Sequence, residues 1–281
     1  MCIRRESMKY KVAVAQMDSG EDTEENQIKM ETYIRKAAGD GADLIIFPEH
    51  AEYLGMDYEN NASPVPGEIT SFYAFCAERY GLYVHCGTLT EKREGGKPYN
   101  TSILFSPKGK MVSCYRKLHM FDVEITDGPG YMESEEVSPG DDIVVCDTDL
   151  GRIGLAVCYD LRFPELFRIM AKQGAGLMVL SANFTENTGK AHWETLLRAR
   201  AIENTCYVAA AGQCGKKNAF ASYGHSMVID PWGQVMASAG TEEEILYAVV
   251  DTDRIKEVRN QIPSLANVRE DVYQRYYSFF T

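Results

Sequence analysis

Apolar residues recur along the first third of the chain with two different periods. The segment Tyr10–Met17 is short, apolar and rich in strand-forming residues, and Asp43–Phe47 predicts a strand buried on both faces. Apolar residues at positions 30, 33, 34, 37 and 38 have helical spacing, and Gly39 follows as a stop signal. Ile69–Tyr80 repeats the helical pattern. The order of elements is therefore strand, helix, strand, helix.

Strands crowd together in the middle of the chain. The segments Leu82–Gly87, Ser102–Phe105 and Met111–Tyr115 predict strands, and the Pro-Gly turn at 106–109 joins the last two as a hairpin. Residues 116–142 contain several glycines and prolines and have no clear period. Because a long loop inside a compact domain usually carries function, we expect this stretch to form a wall of the active site.

Regular alternation of strands and helices returns near residue 150. No linker-like or repeated segment divides the chain, so we expect one domain. Ten or more strands overload a single open sheet, and a four-layer αββα sandwich of the α/β class fits that number. The later predicted strands are Arg152–Val157, Gly176–Ser181, Cys206–Ala211, Ser226–Asp230, Gln234–Ala237 and Ile245–Val250, with helices around residues 163–171 and 193–201. We place the domain at residues 9–255, between a leader at 1–8 and a C-terminal extension at 256–281.

Composition narrows the possible partners. Lysine and arginine total 29 against 41 acidic residues, and the net charge of −12 disfavours binding to nucleic acids and to anionic membranes. Apolar runs are far too short to span a membrane. Residues 1–9 lack the apolar stretch of a secretory signal, so we expect a cytoplasmic protein.

The sequence predicts neither a metal nor a nucleotide cofactor. The 8 cysteines form no C-x-x-C pair, and the 5 histidines form no H-x-H or H-x-x-x-H pair. Glycine-rich phosphate-binding motifs are also absent. We expect the cysteines to be reduced, and most of them to be buried.

Three polar residues stand where a strand ends or a loop begins: Glu49, Lys117 and Cys158. The carboxyl ends of strands are where α/β folds place their chemistry. A thiol with a pKa near 8.5 needs a base or a cation nearby to become a nucleophile, and a carboxylate with an ammonium group supplies both. Cys158 also precedes a helix start, which Pro164 marks. The backbone N–H groups at the start of that helix suit an oxyanion.

Each residue also has an ordinary structural explanation. A cysteine in an apolar strand is most often a small core residue, a glutamate at a loop start is often solvated, and a lysine is by default a surface charge. The three residue types become informative only as a set.

The chain resembles the carbon–nitrogen hydrolases of the nitrilase superfamily. The resemblance runs from about Tyr10 to Asp251 and is carried by FPE at 47–49, YRKLHMFD at 115–122 and GLAVCYDLRFPE at 154–165. It implies an αββα sandwich with Glu49, Lys117 and Cys158 as the catalytic triad. It further implies that Glu133, in the loop after the lysine, positions Lys117 and the substrate.

Within that family the chain looks most like the branch of deaminated glutathione amidases and omega-amidases. The resemblance implies hydrolysis of the terminal amide of a small molecule that bears a carboxylate, through a thioester and with release of ammonia. Tyr159 would contribute its backbone N–H, Arg162 would bind the carboxylate, and Asn183 with Phe184 would line the pocket. Arg162 has an alternative explanation as a structural ion pair. His50 departs from the small or apolar residue that is usual beside the family's glutamate.

Other activities remain open at this stage. An N-carbamoyl amino acid hydrolase or a nitrilase would use the same triad with a different pocket. A thiol redox protein would use Cys158 as a peroxidatic thiol, but the sequence identifies no resolving cysteine. A binding scaffold without chemistry would not need the triad.

The C-terminal segment predicts an oligomer. Residues 273–280 read YQRYYSFF and carry five aromatic side chains that need burial. A tail that packs on its own domain would satisfy them as well. The family resemblance favours a homodimer or a higher homo-oligomer, formed through the helices at 163–172 and 192–204 with the C-terminal segments exchanged.

Overall fold

Two β-sheets form the centre of the molecule, which a computed structural model describes over residues 7–124, 130–217 and 220–276. In chain order the strands are β1 (Lys9–Gln16), β2 (Leu44–Ile46), β3 (Tyr83–His85), β4 (Leu89–Glu91), β5 (Tyr99–Phe105), β6 (Met111–Arg116), β7 (Asp122–Val123), β8 (Tyr131–Met132), β9 (Val145–Thr148), β10 (Gly151–Val157), β11 (Leu177–Ala182), β12 (Tyr207–Gly212), β13 (Met227–Ile229), β14 (Val235–Ser238) and β15 (Glu244–Asp251). The helices are α1 (Thr23–Gly39), α2 (Glu68–Tyr80), α3 (Pro164–Lys172), α4 (Glu186–Asn204), α5 (Thr252–Gln261) and α6 (Glu270–Tyr273).

Each large sheet has parallel strands at its centre. The first sheet has the order β15-β1-β2-β3-β5-β4, with β6 paired to β5, and β1, β2 and β3 run parallel. The second has the order β14-β13-β12-β11-β10-β9, with β10, β11 and β12 parallel. A parallel bridge between Met17 and Gln213 joins the ends of β1 and β12. The carboxyl ends of both parallel sets therefore meet at one end of the molecule.

Strand β1 shows how the sheets pack. Val12 and Val14 belong to the core that also contains side chains of the second sheet. Ala13 and Ala15, which alternate with them, belong to the core shared with α1 and α2. Since successive side chains of a strand point to opposite faces, the first sheet lies between two helices and the second sheet.

Helices α3 and α4 cover the other face of the second sheet. Phe167 of α3 and Trp193 of α4 are buried in the same core as β10 and β11. Gly154 of β10 lets α3 approach closely, because a Cβ there would lie 2.7 Å from the sulfur of Met170. The layers are thus helix, sheet, sheet, helix, and the predicted four-layer αββα sandwich is confirmed.

Several local predictions can be compared directly with the structure. The hairpin between β5 and β6 is confirmed, and Pro164 begins α3 as expected. Helix α4 starts at Glu186, earlier than the apolar pattern indicates. The division at residue 255 stays a prediction and falls inside α5, where Ile255 and Val258 are buried. Over the described ranges, no helix is long and apolar enough to cross a membrane.

The described part of the C-terminal segment lies beside α3. Glu270 of α6 pairs with Lys172 at the end of α3. Tyr273 and Tyr276 are each more than half exposed. The other three aromatic residues of the predicted cluster, Tyr277, Phe279 and Phe280, lie outside the described residues, as do residues 1–6 of the predicted leader.

Two glycines in the same backbone conformation differ in their surroundings. Gly81 ends α2 with φ 70° and a Cβ there would meet nothing within 4 Å. Gly87 follows β3 with φ 73°, and a Cβ there would lie 1.9 Å from the carbonyl oxygen of Pro48. Gly87 therefore allows the chain to pass against the segment that leads into Glu49.

We predict that Gly81→Ala lowers the free energy of unfolding by about 1–2 kcal/mol, the cost of a left-handed conformation for an L-residue. Gly87→Ala pays that same cost and must also displace backbone, so we expect a loss roughly 2 kcal/mol larger. Urea unfolding of both variants measures the difference. Equal losses would show that the contact with Pro48 is not a constraint.

Candidate active site

The polar residues predicted from strand ends do meet at one end of the sandwich. Glu49 follows β2 of the first sheet, and Cys158 follows β10 of the second. Lys117 comes directly after β6, and Asn183 directly after β11. Because the parallel strands of the two sheets end together, four segments that are distant in sequence place their side chains around one space.

Groups from the second sheet hold the Glu49 segment in place. Ser181 donates its hydroxyl to the carbonyl of Phe47 at 2.6 Å. The Gln213 side-chain amide donates to the backbone carbonyl of Glu49 at 2.9 Å, and the Asn183 backbone N–H donates to Glu49 Oε2 at 2.9 Å. Glu49 thus follows a strand of the first sheet, while hydrogen bonds from residues that follow strands of the second sheet hold it in place.

Lys117 lies between two carboxylates. Its Nζ donates to Glu49 Oε1 at 3.0 Å and to Glu133 Oε1 and Oε2 at 2.8 and 2.7 Å. The side chain is 2% exposed. Glu49 Oε1 also accepts from the Asn100 side chain, and Glu133 Oε2 accepts from the Phe121 backbone N–H. The ammonium and both carboxylates of this cluster thus have partners of opposite character.

The protonation states follow from these contacts. Burial alone would lower the pKa of Lys117, but Glu133 and Glu49 outweigh it and hold that pKa well above its ordinary value. Burial would raise the pKa of Glu49, but the charge of Lys117 and the hydrogen bonds to the carboxylate bring that pKa below its ordinary value. Burial and the neighbouring Glu49 raise the pKa of Cys158 well above that of a free thiol. The resting site holds an ammonium, an ionised Glu49 and a neutral thiol that is hydrogen-bonded to it.

Cys158 has an unusual backbone conformation. It opens a short 3-10 turn over Cys158–Arg162 with φ 48°, in the left-handed region. Such strain persists only where the surroundings hold it. Here Asp160, which is fully buried, accepts from the Val157 backbone N–H at 2.8 Å and from the Tyr115 hydroxyl at 2.6 Å.

The same carboxylate reaches the lysine segment. Asp160 Oδ1 lies 2.7 Å from Nδ1 of His119 and accepts from the His119 backbone N–H at 3.2 Å. The His119 ring stacks on Phe163 with centroids 3.6 Å apart. Asp160 therefore connects the turn of Cys158 to the segment two residues beyond Lys117. No sequence pattern indicates that Asp160 connects these two segments, although Asp160 and His119 both stand inside the quoted motifs.

A cavity of about 620 Å³ opens over these groups. Glu49, Lys117, Glu133 and Cys158 line it, so all four of the predicted catalytic residues come together. Three of the predicted substrate-binding residues, Tyr159, Asn183 and Phe184, line it as well. The stretch after β6 contributes one wall, as the sequence predicts.

Arg162 is the predicted residue that does not line the cavity. Its guanidinium lies 5.4 Å from the centre of the Phe184 ring and 5.6 Å from that of Tyr159. Its Nη1 is 3.2 Å from Nδ1 of His192 on α4. Its predicted binding of a carboxylate stays a prediction, and in the structure the guanidinium stacks on aromatic residues that themselves form the wall.

His50 lines the cavity beside Glu49. Its φ is 59°, and its Nε2 is 3.9 Å from Glu49 Oε1. The ring lies 5.3 Å from that of Tyr58. Burial lowers the pKa of His50 despite Glu49, so the imidazole is neutral at pH 7. His50 stands out in the sequence as a departure, but no sequence pattern predicts that Tyr58, Asn100 or Lys217 lines this cavity.

No group of three or more His, Cys, Asp or Glu side chains is arranged to hold a metal ion within residues 7–124, 130–217 and 220–276.

Comparison with known sequences shows that this chain is similar to carbon–nitrogen hydrolases over most of its length. The sequence model of the family described as Carbon-nitrogen hydrolase matches residues 11–260. Omega-amidase NIT2 of Homo sapiens is 38% identical over 267 residues, which cover 94% of this chain and 96% of that protein. Deaminated glutathione amidase of Synechocystis sp. is 40% identical over 263 residues, which cover 91% of this chain and 97% of that protein.

Solved structures share the fold. The C. elegans NitFhit protein has a TM-score of 0.89 and 37% identity, covering 94% of this chain and 66% of that chain. This chain thus spans about two thirds of NitFhit. Saccharomyces cerevisiae Nit3, described as a member of branch 10 of the nitrilase superfamily, has a TM-score of 0.83 and 32% identity, covering 91% of this chain and 94% of that chain.

The cluster around Lys117 makes a prediction about stability. Lys117→Met leaves two buried carboxylates without their cation, and we expect the free energy of unfolding at pH 7 to fall by about 3–5 kcal/mol. Without the ammonium, burial raises the pKa of the Glu49 carboxyl in the folded state above its unfolded value. The loss is therefore larger at pH 8 than at pH 5, where this carboxyl takes up a proton more readily.

Urea unfolding of the wild type and the variant at both pH values measures this effect. Lys108→Met, in the exposed turn between β5 and β6, is the control and should stay within about 0.5 kcal/mol of the wild type. A loss for Lys117→Met that does not depend on pH would contradict the assigned charges.

Proposed function

This chain belongs to the carbon–nitrogen hydrolase family, and on that premise we propose that it hydrolyses the terminal amide of a small molecule that bears a carboxylate, with release of ammonia. The family membership confirms the resemblance predicted from the motifs. Relatives named omega-amidase and deaminated glutathione amidase, at 37–40% identity over most of the chain, establish an amidase that acts on small amides. Beyond an amidase that acts on small amides, we propose that the substrate bears a carboxylate, that the residues named below have specific roles, and that the reaction passes through a thioester.

One observation carries the proposed mechanism: a neutral thiol, an ionised carboxylate and a fixed ammonium line the same cavity. We assign Cys158 as the nucleophile, Glu49 as the general base and Lys117 as the oxyanion donor. Glu133 holds Lys117 through both carboxylate oxygens and so directs its charge. An ammonium with a raised pKa keeps the proton that this role requires.

The first half of the proposed reaction forms the acyl-enzyme. Glu49 removes the thiol proton as the sulfur of Cys158 attacks the amide carbon. The negative charge that develops on the amide oxygen is stabilised by Lys117 and by the backbone N–H of Tyr159. Glu49 then gives its proton to the departing nitrogen, and the C–N bond breaks. Ammonia leaves, and the acyl group remains bound to Cys158 as a thioester.

The second half returns the enzyme to its starting state. Glu49 removes a proton from water, and the hydroxide attacks the thioester carbon through a second oxyanion at the same donors. The C–S bond breaks, the thiolate recovers the proton from Glu49, and the carboxylic acid is released. Each of the two steps is easier than direct hydrolysis of the amide.

The acyl part of the substrate occupies the remainder of the cavity in this proposal. Asn183 and Phe184 follow β11 and line the cavity next to Cys158. Phe184 packs on Trp193 of α4 with ring centroids 4.9 Å apart, so its position is fixed by the core. Arg162, stacked on Phe184, is retained as a proposed residue for the carboxylate.

We also propose that the protein is cytoplasmic and acts as a homodimer or higher homo-oligomer. The 7 cysteines within the described residues are free, which fits a reducing compartment. Ile169 of α3 and Ile202 of α4 are 40% and 49% exposed. Together with the exposed Tyr273, they support an interface along α3, α4 and the C-terminal segment.

A substrate panel tests the proposed activity. We expect ammonia release to be fastest with omega-amides such as glutaramic acid or with deaminated glutathione, and slower with N-carbamoyl amino acids and nitriles. Cys158→Ala should abolish release while leaving the unfolding curve unchanged. Rapid quenching of the wild type should show an acyl adduct on the peptide that contains Cys158.

Three results would contradict this function. Faster release from an N-carbamoyl amino acid or a nitrile would move the chain to that substrate class. Activity of more than a few percent in Cys158→Ala would place the nucleophile elsewhere. No ammonia from any compound of the panel would remove the proposed activity altogether.

A truncation tests the proposed oligomer. The chain ending at Ile262 keeps α5 and lacks α6 and the aromatic segment. We expect light scattering to show a dimer or larger oligomer for the full chain and a shift toward monomer for the truncated one. Thermal unfolding of the truncated chain shows whether the monomer stays folded. An undiminished dimer would exclude the C-terminal segment from the interface.

A further inference from the structure

The charges that line the cavity limit where a substrate carboxylate can bind. Within the part of the chain that the structure describes, four carboxylates reach its wall: Glu49 and Glu133 at the reaction centre, and Glu21 and Glu186 further out. A substrate that carries its own carboxylate, as in the function proposed above, needs a cation away from the scissile amide. The cavity wall offers two lysines among the described residues, Lys117 and Lys217.

Lys117 cannot serve both ends of the substrate. Its ammonium already binds Glu49 and Glu133, and in the proposed mechanism it faces the oxyanion. Arg162 does not line the cavity. The two internal segments outside the described residues, 125–129 and 218–219, contain no lysine, arginine or histidine. Among the residues of the cavity wall that the structure describes, Lys217 is thus the lysine that remains for a carboxylate.

Lys217 lines the cavity, and its surroundings hold its ammonium in place. Its Nζ donates to the carbonyl of Ser19 at 2.9 Å and to the carboxylate of Asp18. The Lys217 side chain is 13% exposed, whereas that of Asp18 is 45% exposed. Asp18 sits where a side chain on Gly215 would be, since a Cβ there would lie 2.2 Å from Asp18 Oδ2. An ammonium has three donors, and a second carboxylate can share it with Asp18.

The start of α4 adds to the positive potential on the same wall. Thr185, Asn187 and Thr188 line the cavity at the N-terminal end of this 19-residue helix. The side chain of the N-cap Thr185 makes no capping hydrogen bond to a first-turn backbone amide, and its hydroxyl lies 3.0 Å from that of Thr188. Glu186 pairs with Lys190 one turn later in α4. The Glu186 amide donates to the Ala221 carbonyl at 2.9 Å. The other amides of the first turn favour an anion, and here they act beside a lysine rather than alone.

We propose that Lys217, assisted by the first turn of α4, binds the carboxylate of the substrate and so selects anionic amides over neutral ones. This inference rests on the proposed amidase function and names the residue that would give it its substrate class. A contact made equally in the ground state and the transition state changes KM more than kcat.

The test compares two substrates of the same shape. Glutaramic acid carries a carboxylate where glutaramide carries a second amide, and ammonia release is measured for both. The wild type should prefer glutaramic acid. Lys217→Met should lower kcat/KM for glutaramic acid roughly 10- to 100-fold, mainly through KM, which is the range for a lost hydrogen bond to a charged group. Its kcat/KM for glutaramide should stay within about threefold of the wild type.

Matched variants separate this role from loss of structure. Lys217→Arg keeps the positive charge and should retain most of the preference for glutaramic acid. Lys216→Met removes the neighbouring lysine, which is exposed and does not line the cavity, and should leave both substrates unaffected. Unchanged turnover of glutaramide in Lys217→Met serves as the measure of an intact active site.

The outcomes distinguish this inference from the function on which it rests. If the wild type hydrolyses glutaramic acid but Lys217→Met keeps the wild-type preference, the inference is wrong and the function stands. If Arg162→Met abolishes the preference and Lys217→Met does not, the carboxylate belongs to Arg162. If both substrates decline equally in Lys217→Met, the lysine is structural. If the wild type releases ammonia from neither substrate nor from the rest of the panel, both proposals are overturned.

Discussion

The active end of this molecule depends on one ammonium group held between two buried carboxylates. Lys117 is 2% exposed, and an isolated charge at such a depth would be expelled or neutralised. Glu49 and Glu133 make its burial possible, and Lys117 in turn makes possible the burial of two carboxylates within contact distance of it. None of the three charges is stable there without the others, so the arrangement forms as a unit.

That unit requires the two sheets to meet in one register. Glu49 follows a strand of the first sheet, but hydrogen bonds from Ser181, Asn183 and Gln213 fix its segment to the second. Asp160 does the reverse, because it lies after a strand of the second sheet and binds Tyr115 of the first. These bonds cross the interface between the sheets in both directions. The precision of the site is therefore a property of the sandwich as a whole and not of any loop.

Periodicity and position together were enough to predict much of this arrangement. Apolar runs and helical spacing located the main strands and the αββα layers, and Glu49 and Cys158 stood out because each follows a buried strand. The two-residue strands β7 and β8 are too short to produce a period. Helix α4 begins seven residues before Trp193. The apolar pattern does not indicate this beginning because the first turns of the helix are polar. Arg162 is close to Cys158 in sequence, but the 3-10 turn directs it toward His192, a contact no local pattern encodes. Lys217 stands in no motif, so only the packed structure could place it at the cavity.

The charge balance around the buried Cys158 affects how far charges on the protein surface influence the reaction. In the proposed mechanism every proton that leaves the thiol or water is taken up by Glu49, so the enclosed charge is the same in each intermediate. Mobile ions screen exposed charges far more than buried ones, and no charge crosses the boundary of the site during the bond-breaking steps. The chemistry is in this sense insulated from the other charges of a chain whose net charge is −12. Surface residues can then exchange one charge for another over evolutionary time without altering the reaction, and only the arrival of an anionic substrate would register the change.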